Sequence, residues 1–522
     1  MKKFYFWFAA SLFFIILVQN STIISAQISV SSIAEYQLGN LPAEDPSNLT
    51  SLYDQLQLEY YNDNLIIGLR YETFNSSNLN RKYNIFSQRY LEWQKDWFRL
   101  RIGNFYGMLG RGLVFRAFEL PGIIQEDQTN RVRYGLTRDA DGFIVETDWN
   151  FFQMTLLRGE SLNSTIPLTY DNDLRSLGIV EGGQIKIIPK HWFTIGATYV
   201  RYVPTNVPPF EAGSGFIRLS LEPILELISN DLLIDFYGEY AQKQAGKDNF
   251  LTLSDKYSHA LYLSANFIFK NFGLSLEHKD YHDFNLQMNY PPPSVRQHSF
   301  YLLNRETHVL LPEDEKGNQF EATYAFRNGT TFIANYTCGE NRPLFLERTI
   351  FEEKFFEADV DLSENILTKV FVDQSKDEYF SKLIDNRITG GVTLDCQFDD
   401  RYSVNFDIQA QKTEKMFEFA PNKNKYNHFY GSIGLTKSPK FSVALELQYT
   451  DDPEITDIPL TSDNLESEPK KLWAINTNYQ ISNRHEVFLF YGERPGGWAC
   501  TAGTCYPVLA FKGLEIRLIS RL

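Results

Sequence analysis

Residues 514–522 read LEIRLISRL, and this run decides the fold. Leu514, Ile516, Leu518 and Leu522 lie on one face, interrupted by Ser520. Glu515, Arg517 and Arg521 lie on the other, with Ile519 among them. A period of two with one apolar and one charged face belongs to a strand between lipid and a wet interior.

The same alternation recurs upstream. Phe441, Val443, Leu445, Leu447 and Tyr449 oppose Ser442, Ala444, Glu446, Gln448 and Thr450. Val404, Phe406 and Ile408 oppose Asn405, Asp407 and Gln409, and Leu232, Ile234, Phe236 and Tyr240 oppose Asp235, Tyr237 and Glu239. The connections alternate in length. Short turns fall near Ser482–Arg484, Lys437–Pro439, Phe398–Asp400, Ser363–Asn365, Arg327–Thr330 and Lys270–Phe272. Long polar loops fall near Asp451–Lys470, Glu414–Lys425, Gln374–Asn386 and Gly339–Lys354. Outer-membrane barrels have short periplasmic turns and long extracellular loops, whereas a soluble sandwich has no reason to alternate this way. The reading is an all-β fold: a large antiparallel transmembrane β-barrel. One hairpin recurs about every 40 residues, which predicts about 24 strands within a range of about 20–26.

Composition agrees. Of 522 residues, 42 are Phe and 30 are Tyr, a strand-favouring aromatic load. After residue 27 no apolar run reaches the roughly 20 residues of a membrane-crossing helix. The formal charge of −15 speaks against nucleic acid as a partner. Met1–Lys3 followed by apolar Phe4–Val18 and the small residues before Gln27 predicts a signal peptide over 1–26, cleaved near Ala26. Residues 27–522 then form one barrel placed in the bacterial outer membrane, with outer-membrane lipid, the barrel-assembly machinery and other envelope proteins as its partners. Alternation that begins at Ile28 leaves no room for an N-terminal plug domain.

Two segments break the pattern. Residues 104–133 read NFYGMLGRGLVFRAFELPGIIQEDQTNRVR. Glycines are too dense here for an ordinary strand, and a wide barrel needs its lumen narrowed. The segment is a candidate inward-folded constriction, with Gly107, Gly110, Arg111, Gly112, Arg116, Glu119, Arg131 and Arg133 as its residues. Glu515 and Arg517 are candidate lumen residues on the wall, and the arginines are expected to face acidic wall positions. An outer loop after a glycine-rich strand corner is the competing reading. The second segment is Arg494–Tyr506, expected at the outer side, where Cys500 and Cys505 would close a small loop worth about 2 kcal/mol. Cys338 and Cys396 are expected to stay free. The Pro291–Pro293 run reads as a stiff loop.

GNFYGMLGRGLVFRAFE at 103–119, with GERPGGWACTAGTCYPVLAFKGLEIRLISRL at 492–522, resembles an uncharacterised family of Bacteroidetes outer-membrane proteins, a domain of unknown function. The resemblance implies the barrel and brings no activity, ligand or catalytic residue. Nucleotide, metal and haem motifs are absent from the sequence, so no cofactor is expected. His428 beside Asn427 and His485 beside Glu486 are the nearest approach to a catalytic pair, and surface polarity explains each. No enzyme is expected. The expected function is a porin-like passive channel for small polar solutes. The alternative is a closed structural, receptor or adhesion barrel, for which the glycine-rich segment and the acidic loop Asp463–Glu468 speak.

Overall fold

The computed structural model describes residues 27–40, 48–77, 82–127, 131–162, 176–205, 208–221, 231–245, 258–293, 295–308, 314–341, 348–378, 384–417, 420–452, 469–501 and 504–522. The expected signal peptide lies outside them, as does most of the Asp451–Lys470 loop.

Among the described residues, 24 antiparallel strands form one sheet. The sheet closes on itself where the first strand, Gln27–Asn40, pairs with the last, Phe511–Arg521. Ala34 stands opposite Leu518 there, and Tyr36 opposite Ile516. Closure removes both sheet edges and satisfies the backbone within the wall, which lipid requires. No helix among the described residues is long and apolar enough to cross a membrane.

The alternation is realised as two faces. Leu447 is 56 % exposed on the outside, while the next residue, Gln448, is 6 % exposed on the inside. Ile185, Ile195, Ile217, Leu263, Val370 and Ile408 continue the outer apolar band. Trp97 stacks on Trp149 (ring centroids 5.1 Å) beside the short turns, as aromatic residues do at a membrane interface.

Turn chemistry follows the same division. At one end, two-residue turns such as 63–64, 96–97 and 270–271 join the strands. Asp63, Asp96 and Lys270 adopt positive φ there, the backbone that tight hairpins demand. The expected short turns all fall at this end. At the other end the connections are longer, but strands run into the expected loops: Gly339–Asn341 and Thr349–Lys354 are paired, as are Gln374–Ser375. Glu414–Lys425 is not a loop: strands Tyr402–Phe417 and Ala420–Lys437 continue pairing through it, with Glu414 opposite Lys425. Its polar residues belong to strands that outrun the apolar band, where period two no longer separates oil from water.

Three of the long connections carry structure of their own. Residues 106–139 lie between strands Phe98–Phe105 and Ala140–Asp148, which pair directly with each other. Residues 283–314 contain the helix Tyr301–Arg305, and residues 495–510 contain the hairpin Gly497–Thr501/Thr504–Val508. These segments occupy the barrel interior.

Candidate functional site: the occupied lumen

The 106–139 segment is built from three short strands, Gly107–Leu109, Phe115–Glu126 and Arg133–Arg138. Its apolar residues Leu109, Leu113, Val114 and Phe115 are fully buried. They pack on inward-facing wall residues that include Val180, Val200, Tyr202, Ala212, Ala241 and Ala260. Small wall residues at 212, 241 and 260 make the space these side chains fill. Tyr202 donates its hydroxyl to the Val114 carbonyl (2.8 Å).

Two glycines are needed for the approach to the wall. Gly110 (φ +57°) gives its N–H to Gln184 Oε1 at 2.6 Å, and a Cβ there would lie 2.3 Å from the Glu239 carboxylate. Gly112 (φ +84°) would drive a Cβ to 2.7 Å from the Tyr290 carbonyl oxygen. Only glycine adopts this backbone without cost while leaving that space empty. Gly107 lies in the first short strand, opposite Ala117.

The candidate charged residues are distributed among several partners. The Arg111 N–H donates to Glu239 Oε2 (2.8 Å), and its guanidinium lies 5.0 Å from the Tyr237 ring centre. Arg116 lies beside the rings of Phe118 (5.1 Å) and Tyr290 (5.2 Å), which also contact each other (5.3 Å), and burial pushes its guanidinium down. Glu119 accepts from Arg70 on the wall (2.6 Å). In that pair the wall carries the cation. Arg131 lies 2.9 Å from Glu126 and donates to the Ala510 carbonyl (2.8 Å).

Arg133 faces acidic residues of the wall. It pairs with Glu35 on the first strand and lies 3.5 Å from Glu515 on the last. Glu515 also accepts from Arg494 (3.0 Å) and Gln37 (2.7 Å), and Arg517 donates to Glu35 (2.6 Å). Burial pushes the Arg133 guanidinium down to about 10, against the pull of Glu515. The cation still persists at neutral pH.

The second inner segment was not expected. Pro291–Pro293 lies outside helices and strands, and the described residues around it, 283–293 and 295–308, enter the barrel. Phe284, Leu286 and Met288 join the apolar cluster of the first segment. The chain then crosses to the opposite wall, where Phe300 stacks on Phe371 (3.8 Å) and Tyr301 on Tyr430 (4.2 Å). Arg387 on the wall donates to the Glu306 carboxylate (3.2 Å) and carbonyl (3.1 Å), and His298 lies 3.1 Å from Glu353. The only local signal is the apolar content of FNLQM and YLL at 284–288 and 301–303, unusual for an exposed loop.

The hairpin at 497–508 lies between the last two wall strands, at the end of the long connections, and leans onto the inner segments. The Cys505 N–H reaches the Tyr290 hydroxyl (3.4 Å), and Gly497 lies against Arg305. Cys500 and Cys505 are opposite each other in the hairpin, and Cys338 and Cys396 are free thiols. The Cys500 side chain lies outside the described residues.

The three segments bind one another. Arg116 N–H donates to the Met288 carbonyl (2.7 Å), Tyr290 N–H to the Gly112 carbonyl (3.0 Å) and Arg138 to the Asn289 carbonyl (3.2 Å). Beneath Glu515 and Arg517, toward the short turns, a cavity of about 440 Å³ remains open along the wall of strands from Tyr402 to Arg521. It is lined by Asn405, Ser442, Asn476, Asn478, Phe488 and Arg494, among others. His428 and His485, the sequence's nearest approach to catalytic groups, contact Gln448 (3.3 Å) and Ser520 (3.0 Å) respectively. Among the described residues no group of His, Cys, Asp and Glu is arranged to hold a metal ion.

No curated protein matches the chain. Solved structures superpose on it weakly. OpdQ of Pseudomonas aeruginosa is 11 % identical, with 71 % of this chain and 96 % of that chain covered and a TM-score of 0.41. OpdL of the same organism is 11 % identical, with 74 % and 99 % covered and a TM-score of 0.42. The siderophore receptor PirA, also from Pseudomonas aeruginosa, is 9 % identical, with 96 % and 81 % covered and a TM-score of 0.43. A family defined by sequence matches residues 1–120 and 229–522, which takes in the start of the first inner segment, the second at 283–308 and the whole C-terminal hairpin; the chain belongs to the Family of unknown function DUF6029.

Proposed function

We propose that the protein is an outer-membrane, porin-like passive channel for small polar solutes, narrowed by its three inner segments. The observation that carries the reading is the asymmetry of the interior. On the side of strands 98–282 the first segment is sealed to the wall by apolar packing. On the side of strands 402–521 the wall stays polar and borders an open cavity. Amide, hydroxyl and charged side chains facing open space are hydrated, and hydrated wall is what a solute path requires.

The same reading places the short turns in the periplasm and the long connections outside, so the constriction enters from the cell surface. It also carries the outer-membrane address, cleavage near Ala26, a Bacteroidetes origin, the Cys500–Cys505 bridge, and lipid, the assembly machinery and other envelope proteins as partners. These rest on the sequence features given above. The chemistry proposed is passage, not catalysis.

A closed scaffold or surface-receptor barrel is favoured by one observation: the inner segments are hydrogen-bonded to one another across the lumen. Single-channel recording of the purified protein in a planar bilayer decides between the two. Discrete, ohmic conductance steps support the channel. Folded, inserted protein without steps supports the closed barrel.

A further inference from the structure

We infer that the cavity beside Glu515 admits and holds neutral, hydroxyl-bearing solutes of monosaccharide size in preference to ions. Its role in selecting transported solutes rests on the channel reading; its binding preference does not.

Three amides line the cavity. Asn405 is hydrogen-bonded to Asp395 (2.5 Å), Asn476 to Glu446 (2.7 Å) and Asn478 to Glu486 (2.8 Å). A carboxylate only accepts, so each amide must give its NH2 group to its partner. One N–H of each amide is spent on the wall; the second N–H, and the side-chain oxygens of Asn405 and Asn476, remain for a solute. A solute that suits such a lining brings hydroxyls, which both accept and donate.

The charges point the same way. Arg494 is paired with Glu515 (3.0 Å) and Arg517 with Glu35 (2.6 Å). Each cation bordering the cavity is matched by an anion within hydrogen-bond distance. An entering anion would give up hydration and find both cations already engaged, which is costly; an entering cation would find the one carboxylate of the lining, Glu515, engaged by Arg494, and those of Asp395, Glu446 and Glu486 held by the amides. A hydroxyl, which both donates and accepts, pairs with the amide oxygens and with Ser442 without that penalty.

Shape and apolar surface complete the case. Phe488 lies on the cavity side of its strand: its neighbour in the outward phase, Tyr491, is 51 % exposed, whereas Phe490 is 8 % exposed. An aromatic ring among amides offers an apolar face to the C–H face of a sugar ring. The volume of about 440 Å³ falls in the range of roughly 300–1,000 Å³ typical of small-molecule sites.

The test uses the full chain and three solutes that share one ring: neutral glucose, anionic glucuronate and cationic glucosamine. Binding is read by saturation-transfer NMR on the detergent-solubilised protein, and passage by swelling of proteoliposomes. The expected results are saturation transfer to glucose but not to the two ions, and faster swelling in glucose than in either. Asn476→Leu should weaken glucose binding by about three- to tenfold, the loss of one hydrogen bond. Ser442→Val provides a second, milder probe if the first variant fails to assemble. Equal transfer to all three solutes, or none to glucose, overturns the inference even if all three permeate. Selective transfer to glucose with no swelling in any solute leaves the binding site standing and removes the channel.

Discussion

The guanidinium of Arg133 lies 3.5 Å from the carboxylate of Glu515, although 381 residues separate them in the chain. Arg133 belongs to the first inner segment, and Glu515 to the strand that closes the barrel against Gln27–Asn40. The same arginine pairs with Glu35 on that first strand. One side chain thus ties the constriction to both strands at the closure seam, and it does so at the upper rim of the polar cavity.

Arg133→Met should therefore loosen the constriction without opening the barrel. Glu35 keeps Arg517 and Glu515 keeps Arg494, so the loss should be about 1–3 kcal/mol. Urea unfolding in lipid should report that loss. A double-mutant cycle with Glu35→Gln should show coupling above about 0.5 kcal/mol. Additive effects would mean the pair is not formed.

Replacing residues 106–139 by a tight turn should leave a closed barrel, because Phe105 and Ala140 already face each other across the ladder. Heat-modifiable migration on a gel checks that it assembles. Single-channel conductance should rise several-fold, and cells should become sensitive to bulky antibiotics. An assembled variant with unchanged conductance would place the segment outside the solute path.

Leu445→Arg should destabilise the barrel by about 2–4 kcal/mol if it meets lipid near the midplane. Ser442→Ala, on the inner face of the same strand, should cost well under that. The comparison is read by equilibrium unfolding in phospholipid vesicles. Equal costs would show that the outward face is not in a membrane.

Cys500 and Cys505 should be found linked in non-reduced peptides by mass spectrometry, while Cys338 and Cys396 should alkylate under denaturing conditions without reduction. Closing so small a loop contributes about 2 kcal/mol at most, so reduction should shift the melting midpoint modestly. Recovery of Cys500 as a free thiol from oxidising conditions would remove the bridge.

A tag placed between residues 453 and 468 should be labelled on intact cells, and one at Ser482–Arg484 should not. Labelling of the second alone would invert the barrel and place the constriction on the periplasmic side.

The barrel was legible in the sequence because its cause is local. A strand with lipid on one side and water on the other must alternate, and residues 514–522 or 441–450 display that alternation without reference to anything else. Strand number and the ordering of short and long connections follow from the same pattern. So does the inner segment's candidacy, since glycines at 107, 110 and 112 are too many for a lipid-facing strand.

Which residues meet inside the barrel was decided by tertiary structure. Contacts across a lumen have no period, so nothing near Arg133 specifies Glu35 and Glu515, and nothing near Glu119 specifies a cation on the wall at Arg70. The second segment stayed hidden because its partners, Phe371, Arg387 and Tyr430, lie on distant strands. The inner wall itself carries a partial record of the occupied lumen: Val180, Val200, Ala212, Ala241 and Ala260 replace the polar residues that an open, water-filled wall would have required.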